Sequence, residues 1–222
     1  MSLSYYRVYR NPNIGMFIRA NDRYAFAPSN IAATKARELA RKLNVQVIRL
    51  ALTYSLLIGP FIALNNRGLL LPRIAFEEGV RELKRRLDMH VEVLDIRPTC
   101  LGNLIAANSR AALVSKEVAR EAFAKIRDAL EVESVEHFSA AGYHQVGSVL
   151  VVNDAGGVIH PEATSEEVSR AEELLGVKLE PATVNGGVPF VSSGLVANNS
   201  AALVGALTTG PELAAISRAF RF

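Results

Sequence analysis

Thiol and imidazole groups, which serve most readily as thiolate nucleophiles, general bases near neutral pH and zinc ligands, are few in this 222-residue chain: one cysteine and four histidines. They are Cys100, His90, His137, His144 and His160. No pair among them has the spacing of a zinc motif, in which the two ligands of a pair are separated by about two to five residues. We therefore expect no metal site and no bound cofactor.

The two most suggestive of these residues have structural explanations. Cys100 directly precedes an apolar segment, where a lone cysteine is typically a small core residue. His160 stands at a predicted strand end in Val-Ile-His-Pro, a position that favours a hydrogen-bonded structural histidine. The glycine-bearing turns at 154–157 and 185–187 lack the lysine and the spacing of a phosphate-binding loop. These patterns do not indicate a catalytic centre.

The most informative pattern is a repeat, which is clearest at residues 59–72. An apolar segment begins at Gly59, a turn follows at Asn65-Asn66-Arg67-Gly68, and a second apolar segment ends at Pro72. Asparagine and glycine tolerate left-handed backbone angles, so the pattern predicts a β-hairpin. It recurs along the chain at intervals of 43 to 45 residues. The five turn asparagines are Asn21, Asn65, Asn108, Asn153 and Asn198.

Each copy continues with an amphipathic helix and a short strand. Helices are predicted at about 32–43, 76–87, 118–130, 165–175 and 213–220, and closing strands at about 45–50, 91–96, 132–138 and 177–179. The fifth copy has no closing strand, whereas residues 4–9 form a strand pattern without a partner. We expect residues 4–9 to complete the fifth unit and close a ring; an open stack of repeats is the alternative.

Length and composition fit one domain over residues 1–222. The expected repeats are about 10–50, 51–97, 98–140, 141–183 and 184–222, with the strand at 4–9. Half of the residues are hydrophobic, which suffices for a core. No apolar run approaches the roughly 20 residues that cross a bilayer, and no secretory signal is seen. A single cysteine excludes an intrachain disulfide. We expect a cytoplasmic monomer with no membrane contact.

Charge is unevenly spread although the net charge is only +3. Lysine and arginine dominate the first half of the chain, and aspartate and glutamate dominate residues 131–173. The electrostatic field of such an uneven charge distribution can orient a protein toward an RNA-rich partner. The alternative is solvated helix faces. The basic helices carry no interleaved aromatic residues, so they offer no stacking platform for single-stranded nucleic acid.

A closed ring would place the five asparagine turns on one rim, and we call these turns the asparagine rim. Short polar side chains and arginines suit docking on a macromolecule better than enclosing a small-molecule substrate. The alternative is that asparagine serves turn geometry alone. The predicted contact residues are Asn65, Asn66, Arg67, Asn108, Ser109, Arg110, Asn153, Asp154, Val196, Asn198 and Asn199.

Several segments, in order and over nearly the whole chain, resemble the translation initiation factor 6 family, the ribosome anti-association factors of archaea and eukaryotes. They are Gly68–Pro72, Gly156–Pro161, Thr183–Gly186 and Gly194–Asn198, with Gly205, Thr208-Thr209 and Glu212-Leu213. The resemblance implies an α+β fold known as the pentein or β/α propeller, a closed ring of five pseudosymmetric units.

The resemblance also implies a non-catalytic function. Family members bind the large ribosomal subunit on its intersubunit face, against ribosomal protein uL14 and near the sarcin–ricin loop, and block the small subunit sterically. In eukaryotes they also accompany subunit maturation and leave with help from the SBDS protein and an elongation-factor-like GTPase; an SBDS-type factor is therefore an expected release partner. By position, the contact loops correspond to Asn65–Arg67, Asn108 and Val196–Asn199. This chain has Asn185-Gly186-Gly187 where the family often has Asn-Arg-Gly, and it lacks the eukaryotic C-terminal tail, which indicates the archaeal form.

The alternative function is that of an enzyme, because other penteins modify guanidino groups. Those enzymes need a cysteine nucleophile with a histidine and carboxylates in the central channel. Their cysteine lies in the last unit, whereas residues 184–222 contain none and Cys100 belongs to the third unit. The enzyme alternative is therefore the weaker of the two.

Overall fold

The computed structural model describes residues 2–221, which form five three-stranded sheets arranged around a central channel. The strands are β1 Ser2–Tyr6, β2 Arg19–Ala20, β3 Tyr24–Pro28, β4 Gln46–Leu50, β5 Ala63–Leu64, β6 Gly68–Pro72, β7 His90–Leu94, β8 Ile105–Ala107, β9 Ala111–Val114, β10 Ser134–His137, β11 Leu150–Val152, β12 Gly157–Ile159, β13 Leu179–Pro181, β14 Leu195–Ala197 and β15 Ala201–Gly205. The helices are α1 Ala33–Leu43, α2 Glu77–Arg86, α3 Leu101–Leu104, α4 Phe123–Leu130, α5 Val146–Val149, α6 Ser165–Leu175, α7 Val191–Gly194 and α8 Gly210–Phe220.

Every unit has the same topology. In the second unit, β5 pairs antiparallel with β6 through the asparagine turn, and β6 pairs parallel with β7. The intervening helix α2 packs its buried Leu83 against a core that includes Leu69 and Leu71. A parallel pair needs such a crossover, and the helix supplies it while burying one face of the sheet.

The first strand closes the ring, as the repeat pattern predicts. β1 pairs parallel with β15 from Ser2 opposite Ala201 to Tyr6 opposite Gly205. The predicted bounds of 4–9 are wrong, because the strand ends at Tyr6. Tyr9 and Arg10 have φ angles of 53° and 58°, and such left-handed angles cannot continue a strand.

The apolar segment before each asparagine is not one continuous strand, contrary to the hairpin pattern. In the second unit only Ala63 and Leu64 pair as a strand, and the preceding residues turn. The equivalent segments are the one-turn helices α3, α5 and α7 and a 3-10 turn at Ile14–Met16. These turns meet at the channel, where a Cβ on Gly102 would lie 2.0 Å from the carbonyl oxygen of Gly59. Glycine is required there because two backbones touch.

The long helices agree with their predicted positions to within a few residues, except at the start of α4. That helix begins at Phe123, and a 3-10 turn at Arg120–Ala122 precedes it. Helices α6 and α8 begin with capping boxes in which Thr164 and Thr209 pair with Glu167 and Glu212. Such boxes satisfy amide groups that the first helical turn leaves free.

The topology gives the ring two different faces. The asparagine rim lies where the second strand of each unit begins. The segments that follow the carboxyl ends of the parallel strands, and that precede the amino ends of the long helices, lie on the opposite side. We call that side the loop face and define it by residues 51–58, 73–76, 139–145, 182–190 and 206–209.

Candidate functional site

The five turn asparagines are buried and linked in a closed circle. Each is at most 9% exposed. In every unit the side-chain Nδ2 donates to the backbone carbonyl oxygen of the turn asparagine in the next unit. The donors, acceptors and distances are Asn21 to Asn65 at 2.9 Å, Asn65 to Asn108 at 3.0 Å, Asn108 to Asn153 at 3.5 Å, Asn153 to Asn198 at 2.8 Å and Asn198 to Asn21 at 3.2 Å. The last bond closes the ring.

Each asparagine also shapes its own turn. Oδ1 of Asn65 accepts hydrogen bonds from the amides of Arg67 at 2.9 Å and Gly68 at 2.8 Å. Its Nδ2 donates a second bond, of 2.7 Å, to the carbonyl oxygen of Leu130 at the end of α4. One side chain therefore fixes a turn, the neighbouring turn and the last carbonyl of a helix.

The five turns lie together on one face, as predicted, but the side chains of the turn asparagines are buried within it. Asn65, Asn108, Asn153 and Asn198 are between 3% and 9% exposed, and Val196 is 3% exposed beside the channel. Their amides are used inside the ring and are not free for a partner. The predicted contact residues that remain accessible, and would be available if docking used the rim, are Asn66, Arg67, Ser109, Arg110, Asp154 and Asn199.

A second polar tier covers the mouth of the channel. Oδ2 of Asp154 accepts from Oγ of Ser109 at 2.9 Å and from Nδ2 of Asn66 and of Asn199 at 3.0 and 3.1 Å. Asp22 joins Asn66 and Asn199 in the same way on the other side. Burial acts to raise the pKa of Asp154, but the hydrogen bonds from Ser109, Asn199 and Asn66 outweigh it and lower the pKa. This tier is satisfied by its own members.

The arginines of the asparagine rim are also engaged within the protein. Each arginine contacts an acidic residue that follows the carboxyl end of a long helix. Two of the contacts are to side-chain carboxylates and one is to a backbone carbonyl oxygen. The contacts are Arg23 with Asp88 at 2.7 Å, Arg67 with the carbonyl oxygen of Glu131 at 2.8 Å and Arg110 with Glu133 at 3.6 Å. Exposed pairs of this kind add little stability, but they occupy the groups that would otherwise meet a partner.

Arg19 extends into the channel, where a volume of only about 70 Å³ remains open. Its Nε and Nη2 donate to the carbonyl oxygens of Gly59 and Gly102, both at 3.2 Å. Burial lowers the pKa of the guanidinium to about 10. The equivalent positions in the other units carry alanine or valine. The long Arg19 side chain therefore occupies channel space that these short side chains leave open.

The loop face is different in character, because it carries most of the large apolar side chains that the fold leaves exposed. Tyr54 is 99% exposed and touches Phe76 edge to face, and Leu207 is 60% exposed. The exposed large apolar residues of this face are Tyr54, Leu56, Ile74, Tyr143, Phe190 and Leu207. Direct contacts join Tyr54 to Phe76 and Tyr143 to Phe190, and contiguous exposed apolar side chains mark interaction surfaces in soluble proteins.

An aromatic cluster stands where the fourth and fifth units meet. The ring of Tyr143 lies 5.2 Å from the ring of His160 and 5.1 Å from that of Phe190. His160 is buried; its Nδ1 accepts from the amide of Glu162 at 3.1 Å, whereas its Nε2 is buried without a hydrogen-bond partner among residues 2–221. The cluster presents the exposed edges of Tyr143 and Phe190 on a buried base.

Glu212 holds the loop that carries Phe190. Its carboxylate accepts from Oγ1 of Thr183 at 2.6 Å, the amide of Thr209 at 2.6 Å, and the amides of Gly187 and Gly186 at 2.9 and 3.1 Å. Burial acts to raise the pKa of Glu212, but these hydrogen bonds together outweigh it and lower the pKa to about 2. The loop geometry therefore depends on an ionised carboxylate.

We expect the Glu212 carboxylate to add pH-dependent stability. Because its pKa is lower in the folded protein than in the unfolded chain, its contribution is complete above about pH 5 and is lost as the pH falls toward about 2. Replacement of Glu212 by glutamine should lower the stability at neutral pH and flatten this part of the pH profile. Urea unfolding of both proteins between about pH 3 and pH 7 measures the difference. Parallel profiles would contradict the assignment.

Sequence reasoning missed the loop face because its residues belong to no periodic element. The only signals were aromatic residues beside glycine turns, at Gly142-Tyr143 and at Gly186-Gly187 before Phe190.

Cys100, expected in the core, is only partly buried and precedes α3. No helix among residues 2–221 has the length and apolar character needed to cross a membrane.

Five β/α units, closed by β1 and by a circle of asparagines, define a five-fold pseudosymmetric protein of the pentein class. The family model described as the eIF-6 family matches residues 3–219. The chain is similar to translation initiation factor 6 of Sulfolobus acidocaldarius, 37% identical over 221 residues, and to that of Nitrosopumilus maritimus, 43% identical over 220 residues; 99% of each chain is covered.

Among solved structures, a mutant DDAH from Pseudomonas aeruginosa complexed with citrulline gives a TM-score of 0.46 at 12% identity, covering 75% of this chain and 68% of that one. The full-length family match and the two relatives lead to one conclusion. The chain belongs to the eIF-6 family.

Proposed function

We propose that this protein is a translation initiation factor that binds the large ribosomal subunit and keeps the small subunit from joining by occupying the intersubunit face. The observation that carries the proposal is family membership over residues 3–219. A rigid ring suits steric exclusion, because the asparagine circle and Arg19 fill its centre and leave the two outer faces for contact.

We assign docking to the loop face. Aromatic side chains are enriched at interfaces, where they bury large areas and lose little conformational freedom. Tyr54, Tyr143 and Phe190 are exposed there, and the last two rest on the buried ring of His160. This arrangement supplies preformed apolar anchors on a rigid base.

The exposed part of the asparagine rim is the other possible docking surface. It comprises Asn66, Arg67, Ser109, Arg110, Asp154 and Asn199. Several of these groups already bond one another or neighbouring units. Docking there would have to replace internal hydrogen bonds, so the geometry favours the loop face.

Substitution of Tyr54 by glutamate should weaken binding to purified large subunits by about tenfold or more. The side chain is 99% exposed, so the change leaves folding intact. The matched control is Arg67→Glu on the asparagine rim, for which we expect less than about a twofold effect. Cosedimentation across a protein titration gives both affinities. A loss with Arg67→Glu and none with Tyr54→Glu would move docking to the rim.

The activity itself is measured by light scattering during subunit joining. Wild-type protein, added to large subunits before small subunits, should suppress the rise in scattering, and Tyr54→Glu should restore it. Joining at an unchanged rate with saturating wild-type protein would overturn the proposed function. A loss of suppression in Arg67→Glu alone would retain the function and reassign the face.

The resemblance extends the proposal to particular partners. We place the docked protein against ribosomal protein uL14 near the sarcin–ricin loop, acting as a cytoplasmic monomer without a cofactor or small-molecule substrate. A role in subunit maturation and release by an SBDS-type factor belong to the same proposal. Crosslinking from a photoreactive group at position 54 to large-subunit proteins tests the first of these partners.

A further inference from the structure

Charge is divided between opposite parts of the ring. Residues 10–50 contain eight lysines and arginines against two acidic residues, whereas residues 141–183 contain two against seven. The first and fourth units are not neighbours in the ring. The asymmetry is therefore a dipole across the disc, and its positive end lies on the unit that contains α1.

A groove of about 620 Å³ runs along α1 at this positive end. Arg23, Arg37 and Arg41 line it, together with Asn44 and Gln46. Arg37 and Arg41 are one helical turn apart, so they share a side of the helix. Both residues are exposed. The groove is open along its length and lies toward the asparagine rim, away from the loop face.

The two helix arginines have no carboxylate partner among residues 2–221. The single acidic residue of α1, Glu38, is used by Lys35 at 2.8 Å and Lys42 at 3.7 Å. Asp22 also borders the groove, but its carboxylate accepts from Asn199 and Asn66 in the polar tier. Cations in the last turn of a helix can balance its dipole, and Arg41 fits that role; Arg37, a turn earlier, does not.

We propose that this groove binds the phosphodiester backbone of RNA. Guanidinium groups form bidentate hydrogen bonds with phosphate oxygens. Two arginines without a carboxylate partner, one helical turn apart, can bind successive phosphates of a backbone. Tyr24 in the groove is buried, so no aromatic ring is available for stacking on bases. Recognition is therefore of backbone charge, independent of sequence. The groove lies off the docking face, so it would engage RNA separately from the subunit contact.

The test uses a fluorescein-labelled RNA duplex of about 20 base pairs and fluorescence anisotropy at several salt concentrations. The double variant Arg37→Glu/Arg41→Glu should lose at least about tenfold in affinity at about 100 mM salt, and the slope of log K against log salt should fall by about two. The matched control is Lys84→Glu/Arg85→Glu on α2, which has the same charge change at exposed positions that have no ion-pair partner within residues 2–221; it should retain affinity within about threefold. Thermal unfolding of both variants verifies folding.

Three results would overturn the proposal. Wild-type protein could fail to bind the duplex at about 100 mM salt. The two double variants could lose affinity equally, which would show diffuse attraction in place of a groove. Polyglutamate could compete as well as unlabelled RNA, which would assign the groove to acidic polypeptides. Cosedimentation with large subunits is scored separately, so failure here leaves the proposed docking on the loop face untouched.

Discussion

Replacing Asn65 by leucine is expected to lower the free energy of unfolding by about 4 kcal/mol, with the fold lost at moderate urea concentrations. Leucine has nearly the same size but no polar atoms. It leaves the amides of Arg67 and Gly68 without their acceptor, and the carbonyl oxygens of Asn108 and Leu130 without their donor. Three of these four groups belong to the buried residues Gly68, Asn108 and Leu130, and an unpaired buried polar group costs about 1 to 3 kcal/mol.

The neighbouring residue supplies the control. Asn66 is only partly buried, and its side chain bonds Asp22 and Asp154 in the outer tier, where water can replace the lost contacts. Asn66→Leu should therefore lower the stability by less than about 1.5 kcal/mol. Urea unfolding followed by circular dichroism measures both variants. Equal losses in the two proteins would show that the inner circle does not hold the units together.

The sequence could predict the architecture because the signals for it are local and repeated. The spacing of Asn21, Asn65, Asn108, Asn153 and Asn198 and the helical periodicity after each turn reproduce one unit five times. The fifth unit lacks a closing strand and the N-terminal strand lacks a partner, so the two are expected to pair. β1 does pair with β15. Strand ends were less predictable: β1 stops at Tyr6, and no glycine marks the left-handed residues Tyr9 and Arg10 that exclude the predicted extension to residue 9.

The role of the asparagines could not be predicted in the same way. An asparagine in an exposed turn and one in a buried turn have the same local signature, since both accept from amides two and three residues ahead. What distinguishes Asn65 is a second set of partners 43 and 65 residues away. Such partners become apparent only when the units are placed side by side.

The same limit explains why the loop face was missed. The loop before Phe190 owes its shape to Glu212, which lies 29 residues after Thr183 and belongs to a helix. Irregular loops carry little periodic information, yet they are where binding residues concentrate on rigid scaffolds. Here the repeated elements build the ring, and the loops that differ from unit to unit give its two faces different chemistry.

Replacing Gly59 by alanine is expected to lower the free energy of unfolding by about 3 kcal/mol, because the one-turn segments around the channel meet backbone to backbone. A Cβ on Gly59 would lie 1.8 Å from the carbonyl oxygen of Gly15 and 2.9 Å from its carbonyl carbon. The amide of Gly59 donates to the carbonyl oxygen of Met16 at 3.0 Å, so the two segments cannot separate without losing that bond.

The control is Gly79→Ala within α2, where the nearest atom to an added Cβ is the carbonyl oxygen of Ala51 at 3.6 Å. Alanine favours the helix there, so this variant should gain up to about 1 kcal/mol. Thermal and urea unfolding of the two variants should therefore shift in opposite directions. In the fifth unit the equivalent position is occupied by Ser192, which is buried. The contact between one-turn segments at that position therefore already accommodates a Cβ. If Gly59→Ala left the free energy of unfolding unchanged, the contacts between the other one-turn segments would also be able to widen. The asparagines alone would then hold the units together.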